Sequence, residues 1–386
     1  MAFTASPLDP RVHALLADAG FGALFHPRQH WCCELVDHYV LCLAVELVRG
    51  LELDRPASVD EVLAARGWSA AFRIPLGWLL ARLAAAGLAA CDADGRWTVG
   101  TLPAVDLVGL RAEALAADAS YAPVYALLDE TAAIYPAVAR GESGEAALFR
   151  KAALWFAYFD NANAYYALNN RVTAAAAAGV IGRGATVLEV GAGPGSATEA
   201  LLERLRAAGR VDAIARYRLT EPVPLFRRRA ERTLAARHPD VPVACEALDI
   251  NRPWREQGVE PGSVDLVWGV NVFHLARELH AVLREARAAL APGGWLVIGE
   301  GIRPARGVPV GAEFPFQILA SFTGVERDPE TRSTHGFLTA EEWVGAVARA
   351  GFAAPAVVPD VIRLRALYPG FFAAAIQARR PDAVPA

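Results

Sequence analysis

Two kinds of hydrophobic patterning divide the chain. Up to about residue 180 the apolar positions gather in helix-length runs. Trp31 to Arg49 is apolar over most of its length, and "SVDEVLAAR" opens on the capping-box pair Ser58 and Glu61. "PLGWLLARLAAAG" starts at Pro75 and closes at Gly87, after which "LAACDADGRWTVG" reads as a hairpin turning at Asp94-Gly95. Two helices and such a hairpin outline a winged-helix-like unit within residues 1–110. Residues 111–180 continue as alanine-rich and aromatic-rich helices, a linker or lid. Between 181 and 386 short β-branched runs alternate with helical stretches, the pattern of a parallel sheet flanked by helices. Its strands are the run ending at Val190, then "RYRLTEP", "VPVAC", "SVDLVWGVN" and "GGWLVIGE". A helix near Thr339 to Ala350 and the strand "GFFAAAIQA" complete it.

Composition sharpens this picture only in places. At 386 residues the chain is long enough for two domains and a large core. It is 54% hydrophobic, yet no run reaches the ~18 uncharged apolar residues that a membrane span needs. Val40 to Val48 comes nearest, and Glu46 interrupts it. "MAFTASPLDPRVH" lacks the basic segment and apolar core of a signal peptide, and five cysteines form no even framework, so a cytoplasmic protein is expected. The net charge is −4, and Asp54 to Arg96 carries five arginines against five acids. No basic stripe for nucleic acid exists there, and the apolar Trp31 to Arg49 segment points to homodimer contacts instead.

Chemistry gathers where the strands end. "VLEVGAGPGSAT" places Gly191, Gly193 and Gly195 directly behind a buried-type strand, and Ser196 with Glu199 reads as the cap of the following helix. The spacing is G-x-G-x-G, and Glu189 sits at the strand end. A carboxylate there repels a pyrophosphate but welcomes a cation, so the ligand expected is a nucleoside with a positive centre: S-adenosylmethionine. Ligands of such sheets lie outside the carboxyl ends of the strands. That puts Glu221 with Pro222, Asp249 with Ile250, Asn271 and Glu300 around the same crevice as Glu189. Glu221 suits the ribose hydroxyls, Asp249 the adenine amine, and Ile250 the ring face.

The stretch from about Val187 to Gly351 resembles class I methyltransferases, most of all the C-methyltransferase domains of polyketide synthases. The resemblance is carried by "VLEVGAGPGSAT", "TEPVPLFRRRAERTL", "ALDINRPWREQGVEPGSVDLVWGVNVFH", "ALAPGGWLVIGE" and "LTAEEWVGAVARAGF". It implies an α/β protein with a Rossmann-like seven-stranded sheet at 181–386, behind a mostly α-helical N-terminal domain. It also implies that His274 is the catalytic base and that Glu300, 26 residues on, orients it. Related O-methyltransferases carry an "HDW"-type insert where this chain has "HLAREL", which favours carbon over oxygen as the acceptor. The acceptor is then an acyl chain on a carrier protein or a small free keto acid. Methyl transfer to an activated carbon independently asks for such a base, with a carboxylate on its second nitrogen.

Other clusters weigh less. "HPRQHWCCELVDH" brings His26, His30, Cys32, Cys33 and His38 together without any standard zinc spacing, and it reads as a helix start; no metal is expected. Arg227 to Arg229 read as a solvated helix face. "WFAYFDNANAYYALNNR" reads either as an interdomain helix with a buried aromatic face or as a lid in which Tyr165, Tyr166 or Asn170 meets the donor or acceptor. His335 in "STHGF" is a further candidate for the acceptor side. As a pair, His274 and His335 are the alternative ligands of an iron-dependent keto-acid enzyme.

Overall fold

The structure, a computed structural model, describes residues 3–18, 20–51 and 53–382. The outermost ends of the two sequence halves, at 1–2 and 383–386, lie outside the described residues. The N-terminal half is built from α1 (Pro10–Asp18), α2 (Pro27–Val48), α3 (Val59–Arg66) and α4 (Arg73–Ala85), then the hairpin β1 (Ala89–Cys91) and β2 (Trp97–Val99). It continues with α5 (Leu107–Ala117), α6 (Ala122–Ala139), α7 (Gly144–Phe149), α8 (Ala152–Tyr158) and α9 (Ala164–Val180).

The local signals act as chemistry requires. Ser58 Oγ accepts from the Glu61 amide while Glu61 returns a bond to Ser58, and Gly67 stops α3 in the left-handed region. Asp92 closes the hairpin by accepting from the amides of Asp94 and Arg96, with Gly95 at φ 76°. His26 caps α2 through its own Nδ1, which accepts from the Gln29 amide. A further bridge pairs Ala57 with Trp97, adding a third extended segment beside the hairpin.

Much of α2 is packed inside the chain: Tyr39, Val40, Cys42, Ala44 and Val45 are buried, with α4, α5 and α6 against the helix, while Asp37 and Glu46 stay exposed and Trp31 and Leu47 half-buried. Among the described residues no helix is long and apolar enough to cross a membrane.

The second half forms a seven-stranded sheet of order β5-β4-β3-β6-β7-β9-β8. Its strands are β3 (Ala185–Glu189), β4 (Ile214–Thr220), β5 (Val243–Glu246), β6 (Val264–Val270), β7 (Leu290–Gly301), β8 (Ala353–Val358) and β9 (Ala373–Arg379). β3 to β7 run parallel, and β9 lies antiparallel to both β7 and β8. The helices between them are α10 (Ser196–Ala207), α11 (Pro224–Arg237), α12 (Leu279–Ala289), α13 (Ala320–Thr323), α14 (Ala340–Arg349) and α15 (Val361–Arg365). Strand order reverses between β3 and β6, which opens a crevice at their carboxyl ends. β8 is the strand that patterning did not mark: "AAPAVV" has little branched apolar content and sits half-exposed at the sheet edge.

The two halves share their cores. Val12, Leu16, Phe21 and Phe25 from the N-terminus pack in the same cluster as Val190, Phe273 and Trp343 around the sheet. Conversely, Phe314, Ile318 and Phe322, from the insert after β7, pack with Leu80, Tyr125 and Tyr135 of the helical half. Tyr135 stacks on Phe314 at 4.9 Å and 7°, and its hydroxyl donates to the Phe314 carbonyl. Trp78 Nε1 donates to Glu313, whose carboxylate also holds Arg303 at 2.5 Å in a fully buried ion pair. The insert thus fastens the helical half over the strand ends, where the crevice lies.

Candidate active site

A cavity of about 510 Å³ occupies the crevice. Its floor is the loop after β3. Gly191 and Gly193 stand at φ 60° and 55°, in the left-handed region that glycine enters freely. A Cβ on Gly191 would lie 2.2 Å from Val272, whereas around Gly193 nothing stands within 4 Å. One glycine permits close packing of loop on loop; the other leaves the wall open to a ligand. Gly195 has a different task from the one expected. It lies off the cavity wall, at φ 93°, and caps α10 where a Cβ would meet Ala230 of α11 at 3.1 Å. Ser196 is the first residue of α10 and makes no side-chain cap, and Glu199 pairs with Arg237 rather than closing a capping box. The left-handed glycine takes the position a capping side chain would need.

The acids expected to face the donor lie on the wall. Glu221 accepts from the amides of Gly193 at 2.9 Å and Val223 at 2.8 Å, which holds its carboxylate at the end of β4. Glu189 is completely buried; its Oε2 accepts from the hydroxyls of Thr198 at 2.5 Å and Tyr217, while its Oε1 has no partner. Burial pushes the Glu189 carboxyl up to about 7, against the lowering effect of those two hydroxyls. A buried carboxylate oxygen without a donor is costly until a cation or donor arrives. The residues present therefore fit a ligand bearing an ammonium or sulfonium. Asp249 and Ile250 line the far side, with the Asp249 amide and carbonyl both bound to the Gln257 side chain. Pro222 and Asn271 also line the cavity. Asn271 is one of two non-glycine residues at positive φ among those described, at 55°, and its Oδ1 accepts from Asn169 Nδ2 at 2.8 Å.

Beyond the ends of β6 and β7, His274 and Glu300 meet. His274 sits in a short 3-10 turn, Phe273–Leu275, just beyond β6, and Glu300 lies near the end of β7. The Nδ1 of His274 is 2.6 Å from Glu300 Oε2, and the His274 amide donates to Oε1 at 3.2 Å. A carboxylate only accepts, so Nδ1 carries the proton and Nε2 carries the lone pair. Both residues are buried, Glu300 completely, and His274 lines the cavity. Phe322 and Phe337 stand edge-on to the imidazole at 5.6 and 5.0 Å, fixing the ring plane.

The remaining candidates separate. Tyr165 and Tyr166 line the cavity, and Tyr166 bonds the Asn271 side chain. Asn170 does not: it faces α8's end, donating to Asn161 Oδ1 at 2.9 Å, and its neighbour Asn169 reaches the wall instead. One residue is about 100° of helix, so adjacent asparagines cannot share a face. His335 lies behind Phe322 rather than on the wall, with Nε2 on Gln317 Oε1 at 2.9 Å. Burial, with Arg303, Arg327 and Arg332 nearby, pushes its imidazole down to about 4. Of the alternative iron pair, His335 thus has its Nε2 on Gln317, and His274 has its Nδ1 on Glu300 with Nε2 left free. Among the described residues no group of three or more His, Cys, Asp or Glu could hold a metal ion. Arg227 departs from the solvated-face reading, since its guanidinium donates to the Glu221 carbonyl at 2.7 Å and braces that loop. Patterning also missed Phe322, Phe337 and the buried Arg332, because nothing in an irregular insert shows which side chain turns inward, and Asn169, whose place depends on the rotation of α9.

Comparison with known proteins agrees with this geometry. Residues 188–296 match the family described as "Methyltransferase domain". The highly reducing polyketide synthase 2 of Gibberella zeae is 40% identical over 126 residues, 31% of this chain. The fumosorinone synthetase of Cordyceps fumosorosea is 34% identical over 168 residues, 43% of this chain. The matched segments are only 5% and 4% of the length of those two relatives. Among solved structures, the CurJ carbon methyltransferase superposes with a TM-score of 0.78 at 22% identity, covering 97% of this chain and all of that one. The CMeT domain of the citrinin polyketide synthase gives 0.73 at 15% identity, covering 99% and 100%. Residues 188–296 carry a methyltransferase domain, and the chain as a whole has the fold of the carbon methyltransferase structures it superposes on.

Proposed function

We propose that this enzyme methylates carbon, at a position made acidic by an adjacent carbonyl, with His274 as the general base. The observation that carries the reading is the 2.6 Å contact between Nδ1 of His274, which lines the cavity, and the buried Glu300. S-adenosylmethionine, when bound, supplies an electrophilic methyl group on a sulfonium. Glu189, Gly191, Gly193, Glu221, Pro222, Asp249, Ile250 and Asn271 are the residues proposed to hold it. Its positive charge would answer the unpartnered Oε1 of Glu189.

His274 Nε2 takes the proton from the acceptor carbon, and the electron pair left behind is the nucleophile. Glu300 holds the tautomer that leaves Nε2 free and stabilises the imidazolium that forms. General-base assistance of this kind supplies ~10²–10⁴ in rate. The helical half and the insert exclude water through Phe316, Phe322, Phe337 and Tyr166, so the developing charges interact in an apolar shell. The acceptor is an acyl group on a carrier protein or a small keto acid, and polyketide-synthase relatives make the carrier-bound form the leading one. In this reading residues 1–110 are a dimerisation or capping domain, 111–180 a linker or lid and 181–386 the catalytic domain. The test is a labelled-donor assay with a β-ketoacyl thioester, using His274→Ala as control. Methyl transfer lost in that variant with donor binding intact supports the base role; full activity in it removes that role.

A further inference from the structure

Arg332 is buried to 1% exposure on the insert between β7 and α14, where a cation needs a reason to be. No carboxylate pairs with it among the described residues. Its Nη1 donates to the Ala276 carbonyl at 2.5 Å, its Nη2 donates to the His274 carbonyl, and its Nε has no partner. Both acceptors belong to the turn that carries the catalytic imidazole. A buried charge left without an opposite charge in contact is expensive. Burial lowers this guanidinium to about 10, while the field of Glu300 opposes that change.

We propose that Arg332 is a positioning residue for methyl transfer, clamping the His274 turn from the side opposite Glu300 and balancing the charge of Glu300. The inference rests on the His274 base reading. The backbone of His274 is held at both ends: its amide by Glu300 Oε1 and its carbonyl by Arg332. An anion and a cation thus bracket one residue, fixing its position and setting the field across its ring. Among the described residues, Glu300 on β7 bonds that ring, Arg332 on the insert bonds the His274 carbonyl, and His335 stands behind Phe322, which is edge-on to the ring. Of these, Arg332 is the group whose charge opposes that of Glu300 at close range. It reaches the site from a segment whose only sequence mark was "STHGF", and it is not part of the cavity wall.

Arg332→Met removes both clamp and charge; Arg332→Lys keeps the charge but loses the two-pronged grip on the carbonyls. Methyl transfer from labelled S-adenosylmethionine to acetoacetyl-N-acetylcysteamine is followed across pH 5.5 to 9 for each full-length variant, with donor affinity measured by calorimetry. Arg332→Met is expected to lower kcat by roughly tenfold or more with donor affinity within about twofold. Its acid limb should move to higher pH by about half a unit or more, because Glu300 then favours the imidazolium unopposed. Arg332→Lys should lose kcat while its limb stays in place, and it serves alone if the Met variant does not fold. Glu300→Gln should move the limb in the opposite direction. A limb unmoved in Arg332→Met, or wild-type kcat in Arg332→Lys, overturns the proposal. Undiminished activity in His274→Ala overturns the base reading instead, and that result separates the two.

Discussion

His274 Nδ1 and Glu300 Oε2 lie 2.6 Å apart although 26 residues separate them in the chain. The connection explains the spacing. β6 ends at Val270 and β7 pairs with it in parallel, so the crossover through α12 returns the chain to the same end of the sheet. The Asn271 amide donates to the Gly299 carbonyl, which aligns the two strand ends one residue before Glu300. Adjacent parallel strands thereby deliver the base and its orienter side by side. If they act as one unit, His274→Ala and Glu300→Gln should be non-additive: the double variant should be about as slow as His274→Ala alone. Glu300→Gln keeps a hydrogen-bonding shape but not the charge, so it should be slowed by ~10²–10⁴ at most. Steady-state rates of the two single variants and the double decide this, and strictly multiplicative losses would speak against a coupled pair.

Glu221 is held by two backbone amides, poised before any ligand binds. Replacing it with alanine should weaken donor binding by roughly 1–3 kcal/mol, the scale for losing a charged acceptor. Isothermal calorimetry with S-adenosylmethionine measures it directly. Unchanged affinity in a folded variant would remove Glu221 from the donor site.

The Glu189 carboxyl gives a pH signature. Burial raises it from the usual 4.5 to about 7 in the folded protein. Between those values the folded chain holds a proton that the unfolded chain has released, so this group's contribution to stability falls as pH rises through that window. Glu189→Gln abolishes the titration. Relative to wild type, the ligand-free variant should therefore gain on the order of 1–3 kcal/mol between pH 5 and pH 8. Thermal melts of both proteins across that range test it; a pH-independent difference would show that Glu189 is ionised throughout.

Gly191 is required by two independent constraints: φ 60°, and a Val272 methyl 2.2 Å from where a Cβ would stand. Gly191→Ala should cost more than ~1 kcal/mol of stability. Val272→Ala in the same background should recover part of the loss by relieving the contact while leaving the backbone strain. Full additivity of the two substitutions in chemical denaturation would contradict the contact.

Much of this molecule was legible in its sequence, for identifiable reasons. The parallel strands are short β-branched runs closed by glycines and acids, and the crevice follows from where those runs end. The donor acids and Glu300 were placed around one crevice because strand ends are fixed by topology, whereas the roles of His274 and Glu300 came from the resemblance to C-methyltransferase domains. What was not readable depends on packing across the chain. The apolar run of α2 is continuous in sequence, and how much of it packs against α4, α5 and α6 is set by contacts far along the chain. Asn169 and Asn170 are chemically identical, and only the rotation of α9 decides which reaches the cavity. Ser196 was a plausible cap until Gly195 adopted the left-handed conformation one residue earlier. Arg332 and Phe322 come from an irregular insert with no period to reveal a buried side.

Carbon methylation driven by His274 is the central claim, and the position of the transferred methyl tests it most directly. The protein is incubated with S-adenosylmethionine carrying a ¹³C methyl group and with acetoacetyl-N-acetylcysteamine, and the product is examined by NMR and mass spectrometry. The account predicts one added methyl on the carbon between the two carbonyls, coupled to the single proton left there, and no such product from His274→Ala. A methyl found on oxygen, or an undiminished carbon-methylated product from His274→Ala, would contradict it.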